Sequence, residues 1–160
     1  MDIDIMPIGH VANDVIGRLK PGARDHQVSR IVLEPEFHAG LKDIGEFSHL
    51  WVMCWLNKVK ENDRKTTKVF YPEKEVGIFA TRVQFRPNPI SLNMVRLVEV
   101  DGKKGTITVI GLEMFNGTPV LDIKPFTGIF KDVPRAFTEP YSGEPVRVAW
   151  WHDKHPTGRK

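Results

Sequence analysis

Short runs of apolar or alternating residues recur along the chain, and their length is typical of strands rather than helices. Leu50–Leu56 (LWVMCWL) is apolar on both faces, as a buried strand or a buried helix would be, and its aromatic and β-branched residues favour a strand. Polar and apolar residues alternate in Thr106–Leu112, which predicts one wet face and one buried face. The other predicted strands are Met6–Val11, Val28–Leu33, Leu92–Val100, Val120–Ile123 and Val146–Trp150.

Turn signals separate these strands. Asp101–Gly105 (DGKKG) lies between two of them and predicts a hairpin, and Asn116-Gly117 predicts a second tight turn. The best helical candidate is Glu36–Leu41, with Ile44 as its furthest end. About seven short strands with one or two short helices predict an all-β domain, either a barrel or a sandwich.

Length and composition indicate one soluble domain. A chain of 160 residues buries about two thirds of its unfolded surface and needs no disulfide or metal for stability. Cys54 is the only cysteine, which excludes an intramolecular disulfide, and its apolar surroundings favour a buried inert thiol over a nucleophile. The amino terminus is acidic and reaches Pro7 at once, so we expect a cytoplasmic protein with no secretory signal and no membrane segment.

The charge balance permits an anionic partner without requiring one. Lys and Arg number 23 against 20 for Asp and Glu. The polar segment 57–76 is either a solvated surface loop or an electrostatic contact for a polyanion. Its candidate cations are Lys58, Lys60, Arg64, Lys65 and Lys68.

Several common site motifs are absent from the sequence. It has no G-x-G-x-x-G, no P-loop pattern and no H-E-x-x-H, so neither a Rossmann dinucleotide site nor a P-loop is supported. His152, Asp153 and His155 lie close together, but a polar terminal tail is favoured over a weak metal site. We therefore expect no metal.

The segment Gly77–Ile90 (GIFATRVQFRPNPI) carries candidate binding chemistry. Arg82 and Arg86 lie beside a loop in which two prolines enclose Asn88, and the prolines leave neighbouring carbonyls free to face a ligand. Arginine suits a carboxylate or a phosphate. The segment is either a ligand-binding loop or a rigid barrel corner whose arginines form surface pairs.

A second loop, Phe115–Pro119, leads into a strand that carries a carboxylate. Gly117 would let a ligand approach the backbone. Asp122 sits in the apolar strand and needs a partner, either a structural arginine or a ligand, and Lys124 is expected on the opposite face.

Four motifs occur in a fixed order between about Ile5 and Phe126. They are FSHLW at 47–51, GIFATR at 77–82, FRPNPI at 85–90, and NGTP at 116–119 followed by DIKP at 122–125. In this combination the chain resembles the TsaA-like family, the tRNA-methyltransferase O group. The resemblance implies a single-sheet antiparallel β-barrel, usually a homodimer, that binds S-adenosylmethionine without a Rossmann domain. It also implies methylation of N6 in the threonylcarbamoyl-adenosine next to the anticodon of tRNA.

By motif position, the resemblance implies a set of cofactor contacts. Arg82 or Lys58 would hold the cofactor's carboxylate, and Leu92 and Met114 would contact its adenine ring. The implied contacts are Asn57, Lys58, Arg82, Leu92, Met114, Phe115, Asn116, Gly117 and Thr118.

The catalytic roles are open at this level. A hydrogen-bond acceptor on N6 would make it a better nucleophile, and Asn88, Asp122 or a carbonyl of the proline loop is a candidate for it. Arg86 is expected on the substrate side.

Two departures from the family pattern bear on the substrate. Asn116 stands where the family commonly has aspartate, and we expect the chain to lack the further C-terminal domain of bacterial members, since only a short segment follows Trp151. The sequence predicts a barrel domain over residues 1–151 and a polar tail over 152–160. A methyltransferase of a small molecule and a non-catalytic cofactor-sensing or RNA-binding barrel are the alternatives. The resemblance to the family predicts a homodimer, and so does an aromatic strand surface larger than one small barrel would bury. The aromatic residues are Trp51, Trp55, Trp150 and Trp151.

Overall fold

Strands make up most of the regular structure in this computed structural model, which describes residues 3–15, 26–71 and 74–127. The strands are β1 (Gly9–Ala12), β2 (Val28–Leu33), β3 (His49–Trp55), β4 (Lys68–Tyr71), β5 (Lys74–Gly77), β6 (Ile90–Asp101), β7 (Thr106–Ile110) and β8 (Pro119–Pro125). Short 3₁₀ helices span Pro35–Leu41, Ile44–Glu46, Glu61–Lys65 and Ile78–Ala80. No helix in these ranges is long and apolar enough to cross a membrane.

Six strands close into a barrel in the order β1-β2-β7-β6-β3-β8, and every neighbouring pair is antiparallel. β4 and β5 form a separate two-stranded arm. The prediction of an all-β barrel is confirmed, and the sandwich alternative is wrong.

The inward positions of the strands form the core. On β3, Leu50, Val52 and Cys54 are fully buried while the residues between them are half-buried. Ile107 and Val109 fill the inner face of β7, and the threonines beside them point outward, as the alternation predicts. Burial raises the pKa of the Cys54 thiol to about 12, so the prediction of an inert thiol is confirmed.

Most strand predictions are close to the observed bounds. β2 spans the predicted residues, and the Asp101–Gly105 turn joins β6 to β7 as a hairpin. β1 begins at Gly9 rather than at Met6, because Pro7 has no N–H to contribute to the ladder. The predicted strand Val146–Trp150 and the tail lie outside the described residues.

The structure differs from the sequence expectations in two places. The predicted helix at Glu36–Leu41 is a 3₁₀ helix beginning at Pro35, and it stops before Asp43, whose φ of 65° is left-handed and cannot continue it. The polar segment 57–76 was expected to be a loop but contains the 3₁₀ turn Glu61–Lys65 and most of the arm formed by β4 and β5.

At one end of the barrel β1, β3 and β7 finish and β2, β6 and β8 begin. We call this end the top. Three connections begin and end there, and their described residues are 13–15 with 26–27, 56–71 with 74–89, and 111–118. The 3₁₀ helices of 35–46 and the hairpin turn 102–105 lie at the other end. The antiparallel topology therefore gathers sequence-distant segments at the top.

Candidate functional site

The predicted site residues lie at or near the top of the barrel. Those in the connections or at a strand start are Asn57, Lys58, Arg82, Arg86, Asn88, Leu92, Met114, Phe115, Asn116, Gly117 and Thr118. Asp122 lies further along, in the middle of β8. Segments more than 50 residues apart in sequence thus share one end of the fold.

The turn at Asn116-Gly117 is anchored to β1. The backbone N–H of Gly117 donates to the carbonyl oxygen of Val11 at 2.8 Å, and the N–H of Val11 donates to the carbonyl oxygen of Thr118 at 2.9 Å. Gly117 has a φ of 79°, which favours glycine, and a Cβ there would meet no atom within 4 Å. The predicted turn is confirmed, and its backbone is open to a ligand.

Asn13 fixes the rest of this loop and was missed by sequence reasoning. Its Nδ2 donates to the carbonyl oxygen of Met114 at 2.9 Å and to Oγ of Ser29 at 2.8 Å. Its backbone N–H donates to Oδ1 of Asn116 at 3.1 Å. An aspartate would offer the same acceptor, so the family's aspartate and this chain's asparagine can both make this contact. No signal in a single sequence singles out Asn13 beyond its place directly after a strand.

Lys58 joins the connection after β3 to the Asn116 loop. Its Nζ lies 4.2 Å from the centre of the Phe115 ring, a cation–π contact. Asn57 continues a tight turn in which its N–H donates to the carbonyl oxygen of Trp55 at 2.9 Å. The structure thus brings Asn57, Lys58 and Phe115 to the same corner of the top.

Met114 and Leu92 do not meet within one chain. Oγ of Ser91 contacts Sδ of Met114 at 3.6 Å and accepts a hydrogen bond from Nδ2 of the buried Asn93 at 2.9 Å, which places Met114 on the inner face of β6. Leu92 points to the outer face and is 48% exposed. A single ring therefore cannot rest on both side chains from one side of the strand.

Arg82 presents an unpaired guanidinium at the top. It is exposed, and its Nη2 makes one long hydrogen bond, 3.4 Å to the carbonyl oxygen of Leu92. Among the described residues no carboxylate pairs with it. Because Lys58 already contacts Phe115, Arg82 is the better placed of the two cations for an incoming carboxylate.

Arg86 holds the turn that presents Arg82. Its Nη1 donates to the carbonyl oxygens of Ile78 at 3.2 Å and Thr81 at 2.8 Å. Its guanidinium lies 5.8 Å from the centre of the Phe79 ring. In the part of the chain that the structure covers, neither arginine forms the surface ion pair that was the alternative interpretation.

The proline loop has less free backbone than its sequence suggests. The carbonyl oxygen of Pro87 accepts from Nε of Arg64 at 3.1 Å, and that of Pro89 accepts from the N–H of Leu56 at 2.8 Å. The carbonyl oxygen of Asn88 accepts from the N–H of Ile90. The expectation of free carbonyls is wrong for Pro87, Asn88 and Pro89, whereas the side chain of Asn88 is exposed.

Asp122 has a protein partner already. Its Oδ2 pairs with Nζ of Lys124, and its Oδ1 accepts from the N–H of Ile123 at 2.8 Å. The expectations that Lys124 lies on the opposite face and that an arginine is the partner are wrong, because residues two apart in a strand share a face. Asp122 is opposite Met53, which is opposite Leu92, so it lies two strand spacings, roughly 10 Å, from Leu92.

An open depression of about 510 Å³ borders the Asn116 turn on its β2 side. Its lining residues are Ala12, Asn13, Asp14, Val28, Ser29, Arg30, Thr108 and Asn116. Asn116 is the sole predicted site residue among them. Within the described ranges, no group of three His, Cys, Asp or Glu side chains could hold a metal ion.

Residues 19–131 match the family model described as the tRNA-methyltransferase O N-terminal domain. This chain belongs to that family. The resemblance found from the four motifs is thereby confirmed.

Three known proteins illustrate the relationship. A probable S-adenosyl-L-methionine-binding protein of Archaeoglobus fulgidus is 34% identical over 138 residues, which cover 86% of this chain and 34% of that protein. The tRNA (adenine(37)-N6)-methyltransferase of Escherichia coli is 36% identical over 102 residues, covering 60% of this chain and 43% of that protein. The crystal structure of TrmO from Pseudomonas aeruginosa superposes with a TM-score of 0.66 at 25% identity, covering 86% of this chain and 63% of that one. The chain thus spans about a third of the first relative and under half of the second.

Proposed function

We propose that the top of the barrel binds S-adenosylmethionine. The observation that carries this proposal is the exposed, unpaired guanidinium of Arg82 in the same rim as the open Gly117 turn. A carboxylate would accept the fork of Arg82, and Nδ2 of Asn116, which has no partner among the described residues, would donate to an acceptor nearby. Relatives in the family carry names that include this cofactor. The residues present fit the cofactor's methionine part.

Leu92 points to the outer face of β6, whereas Met114 contacts the inner face. We therefore assign the exposed Leu92 to an apolar wall of the cofactor site at the outer face. Met114 then supports the loop from inside the barrel and does not touch the adenine from the same side. Lys58 and Phe115 close the neighbouring corner.

We further propose that the chain methylates N6 of the threonylcarbamoyl-adenosine next to the anticodon of tRNA. Bound S-adenosylmethionine supplies an electrophilic methyl group on its sulfonium. The chain orients the acceptor, and a side-chain oxygen that accepts a hydrogen bond from N6–H would raise the electron density on that nitrogen; the proton that the methyl group replaces passes to solvent. The exposed Asn88 is better suited to this role than Asp122, whose carboxylate is held by Lys124. This assignment places the chain with tRNA in the cytoplasm.

Two experiments separate this function from its competitors. Titration calorimetry with S-adenosylmethionine is expected to show binding, and no binding would favour a pure RNA-binding barrel. Mass spectrometry of tRNA nucleosides from cells lacking the gene is expected to show loss of the N6-methylated nucleoside. An unchanged nucleoside profile with intact cofactor binding would favour a small-molecule acceptor.

Two of the five candidate cations of the 57–76 segment are free to contact the tRNA backbone. Lys58 contacts Phe115, Lys68 pairs with Glu75 at 2.8 Å, and Arg64 lies over Trp55. Lys60 and Lys65 are exposed and make no ion pair with any described residue.

Replacing both Lys60 and Lys65 with glutamine is expected to reduce the salt dependence of tRNA binding. Each phosphate contact contributes about 0.7–0.9 to the slope of log affinity against log salt, so the slope should fall by about 1 to 2. The affinity is measured by filter binding or anisotropy across a salt series. The control replaces Lys103 and Lys104, two lysines in the hairpin turn at the opposite end of the barrel, and should leave the slope unchanged. An equal slope change in both double variants would contradict a specific contact.

We propose that the chain is a homodimer. The outer face of β3 and β6 supports this, because it carries apolar side chains where a barrel surface in water would carry polar ones. Directly opposed pairs are Trp51 with Met94, Met53 with Leu92, and Trp55 with Ile90. Of these, Leu92 and Ile90 are exposed and the others are half-buried.

Light scattering at micromolar concentration is expected to give twice the 18.3 kDa mass of one chain. Met53→Lys should give a monomer, because a charge would be buried in the apolar contact. Val28→Lys places the same charge on an exposed apolar position of β2 and should leave the dimer intact. A monomeric wild-type protein would overturn this assignment.

A further inference from the structure

Two phenylalanine rings in the connection between β3 and β6 are almost fully exposed. Phe70 on β4 is 77% exposed, and Phe79 in the turn after β5 is 80% exposed. Single exposed apolar residues are common on protein surfaces, but phenylalanine is among the residue types most often buried. The arm formed by β4 and β5 continues directly into the turn Ile78–Ala80.

The arm and the turn that follows it hold the two rings in defined positions. On the face that carries Phe70, Lys68 pairs with Glu75 across the two strands. The turn that carries Phe79 is anchored by the fully buried Ile78, whose N–H donates to the carbonyl oxygen of Thr67 at 2.9 Å. The rings are therefore presented by a hydrogen-bonded element and do not belong to a loose loop.

The segment that contains the arm carries the positive charge of the whole chain. Residues 57–86 hold eight Lys and Arg against four Asp and Glu, which gives +4. The rest of the chain holds fifteen against sixteen, which gives −1, so the total is the observed +3. The positive charge of this segment favours a polyanion as its partner.

The exposed aromatic rings and the positive charge of this segment both match the chemistry of a single-stranded nucleic acid. Unpaired nucleotides present a π-face for stacking and a phosphate for each cation, and such stacking tolerates any base. A protein partner would instead require a contiguous apolar patch, whereas Lys68 and Glu75 form an ion pair beside Phe70. The charge balance and the rings together favour single-stranded RNA.

We propose that Phe70 and Phe79 are stacking platforms for unpaired bases of the RNA substrate's loop. This inference rests on the proposed function and adds to it the side chains that would bind the unpaired bases of the loop. Arg86 contributes by lying against Phe79, since its guanidinium keeps the ring and the Arg82 turn together.

Binding of the full chain to three RNAs tests this inference. The probes are an anticodon stem-loop hairpin, the same hairpin with an abasic loop, and a blunt duplex of the stem alone. Phe70→Ala and Phe79→Ala are each expected to weaken hairpin binding by roughly 5- to 150-fold, the loss of one stacked base. The same variants should bind the abasic hairpin and the duplex as the wild type does. Phe70→Tyr and Phe79→Trp keep an aromatic face and should retain hairpin binding.

Controls distinguish stacking from other roles of the two rings. Val98→Ala removes an exposed apolar side chain from the far part of β6 and should change nothing. Calorimetry with S-adenosylmethionine and light scattering should give wild-type values for both phenylalanine variants. Loss of cofactor affinity or of the oligomeric state in those variants would overturn the inference, because the rings would then serve the cofactor site or a subunit contact.

The outcome also separates this inference from the function on which it rests. If the wild type binds and methylates tRNA while both alanine variants do so equally well, the stacking inference is wrong and the proposed function stands. If the wild type shows no salt-sensitive binding to the hairpin, both are wrong.

Discussion

Replacing Arg82 with alanine is expected to weaken S-adenosylmethionine binding about ten- to a hundredfold. The exposed guanidinium makes one long contact, with the carbonyl oxygen of Leu92, so its fork is available to a carboxylate. Losing a charge-assisted hydrogen bond costs about 1.5–3 kcal/mol, which corresponds to that range of affinity. Titration calorimetry measures the effect directly.

Two variants control for charge and for general surface effects. Arg82→Lys keeps the positive charge without the planar fork and should fall between the wild type and the alanine variant. Lys103→Ala removes an exposed cation from the hairpin turn at the opposite end of the barrel and should bind the cofactor as the wild type does. If Arg82→Ala binds with wild-type affinity, the assignment of Arg82 is wrong.

Replacing Arg86 with alanine is expected to abolish methyl transfer, with a loss of about a hundredfold or more, while cofactor affinity changes far less than in Arg82→Ala. The guanidinium fixes the carbonyl oxygens of Ile78 and Thr81, and it contacts the Phe79 ring on the side we assign to the substrate. A small misplacement of a reacting group can reduce the rate about a hundredfold.

Kinetics at saturating tRNA, with the concentration of S-adenosylmethionine varied, identify the step that Arg86 serves. The expected result is a reduced kcat with a nearly unchanged KM for S-adenosylmethionine. Arg86→Lys should not rescue the rate, because one ammonium cannot reproduce the fork that reaches two carbonyls. A normal kcat with a raised KM for the cofactor would show that Arg86 acts only by positioning Arg82.

Local sequence signals predicted the elements whose structure is decided locally. The alternation of β7, the DGKKG turn and the positive φ of Gly117 follow from strand periodicity and from turn chemistry. The barrel closure came from the family resemblance, since strand patterns alone left the sandwich open. The arm was missed because its strands are short and largely polar, and they bury little apolar surface.

The candidate site shows a different limit. The order of the motifs identified the residues at the top of the barrel. The face of the sheet that each side chain contacts depends instead on how the loops fold over the strands. Met114 reaches the inner face of β6 because the Asn116 loop is held inward by Asn13, a contact between residues 101 positions apart. The carbonyls of the proline loop are occupied by Arg64 and by Leu56, which no local rule anticipates.

Methylation of tRNA can be tested directly by following the methyl group from the cofactor to the nucleoside. The purified chain is incubated with labelled S-adenosylmethionine and tRNA that carries threonylcarbamoyl-adenosine, and the digested nucleosides are examined by mass spectrometry. We expect one labelled methyl group on N6 of that nucleoside, and none with Arg86→Ala. Unmodified nucleosides from a chain that binds the cofactor would contradict the proposed function.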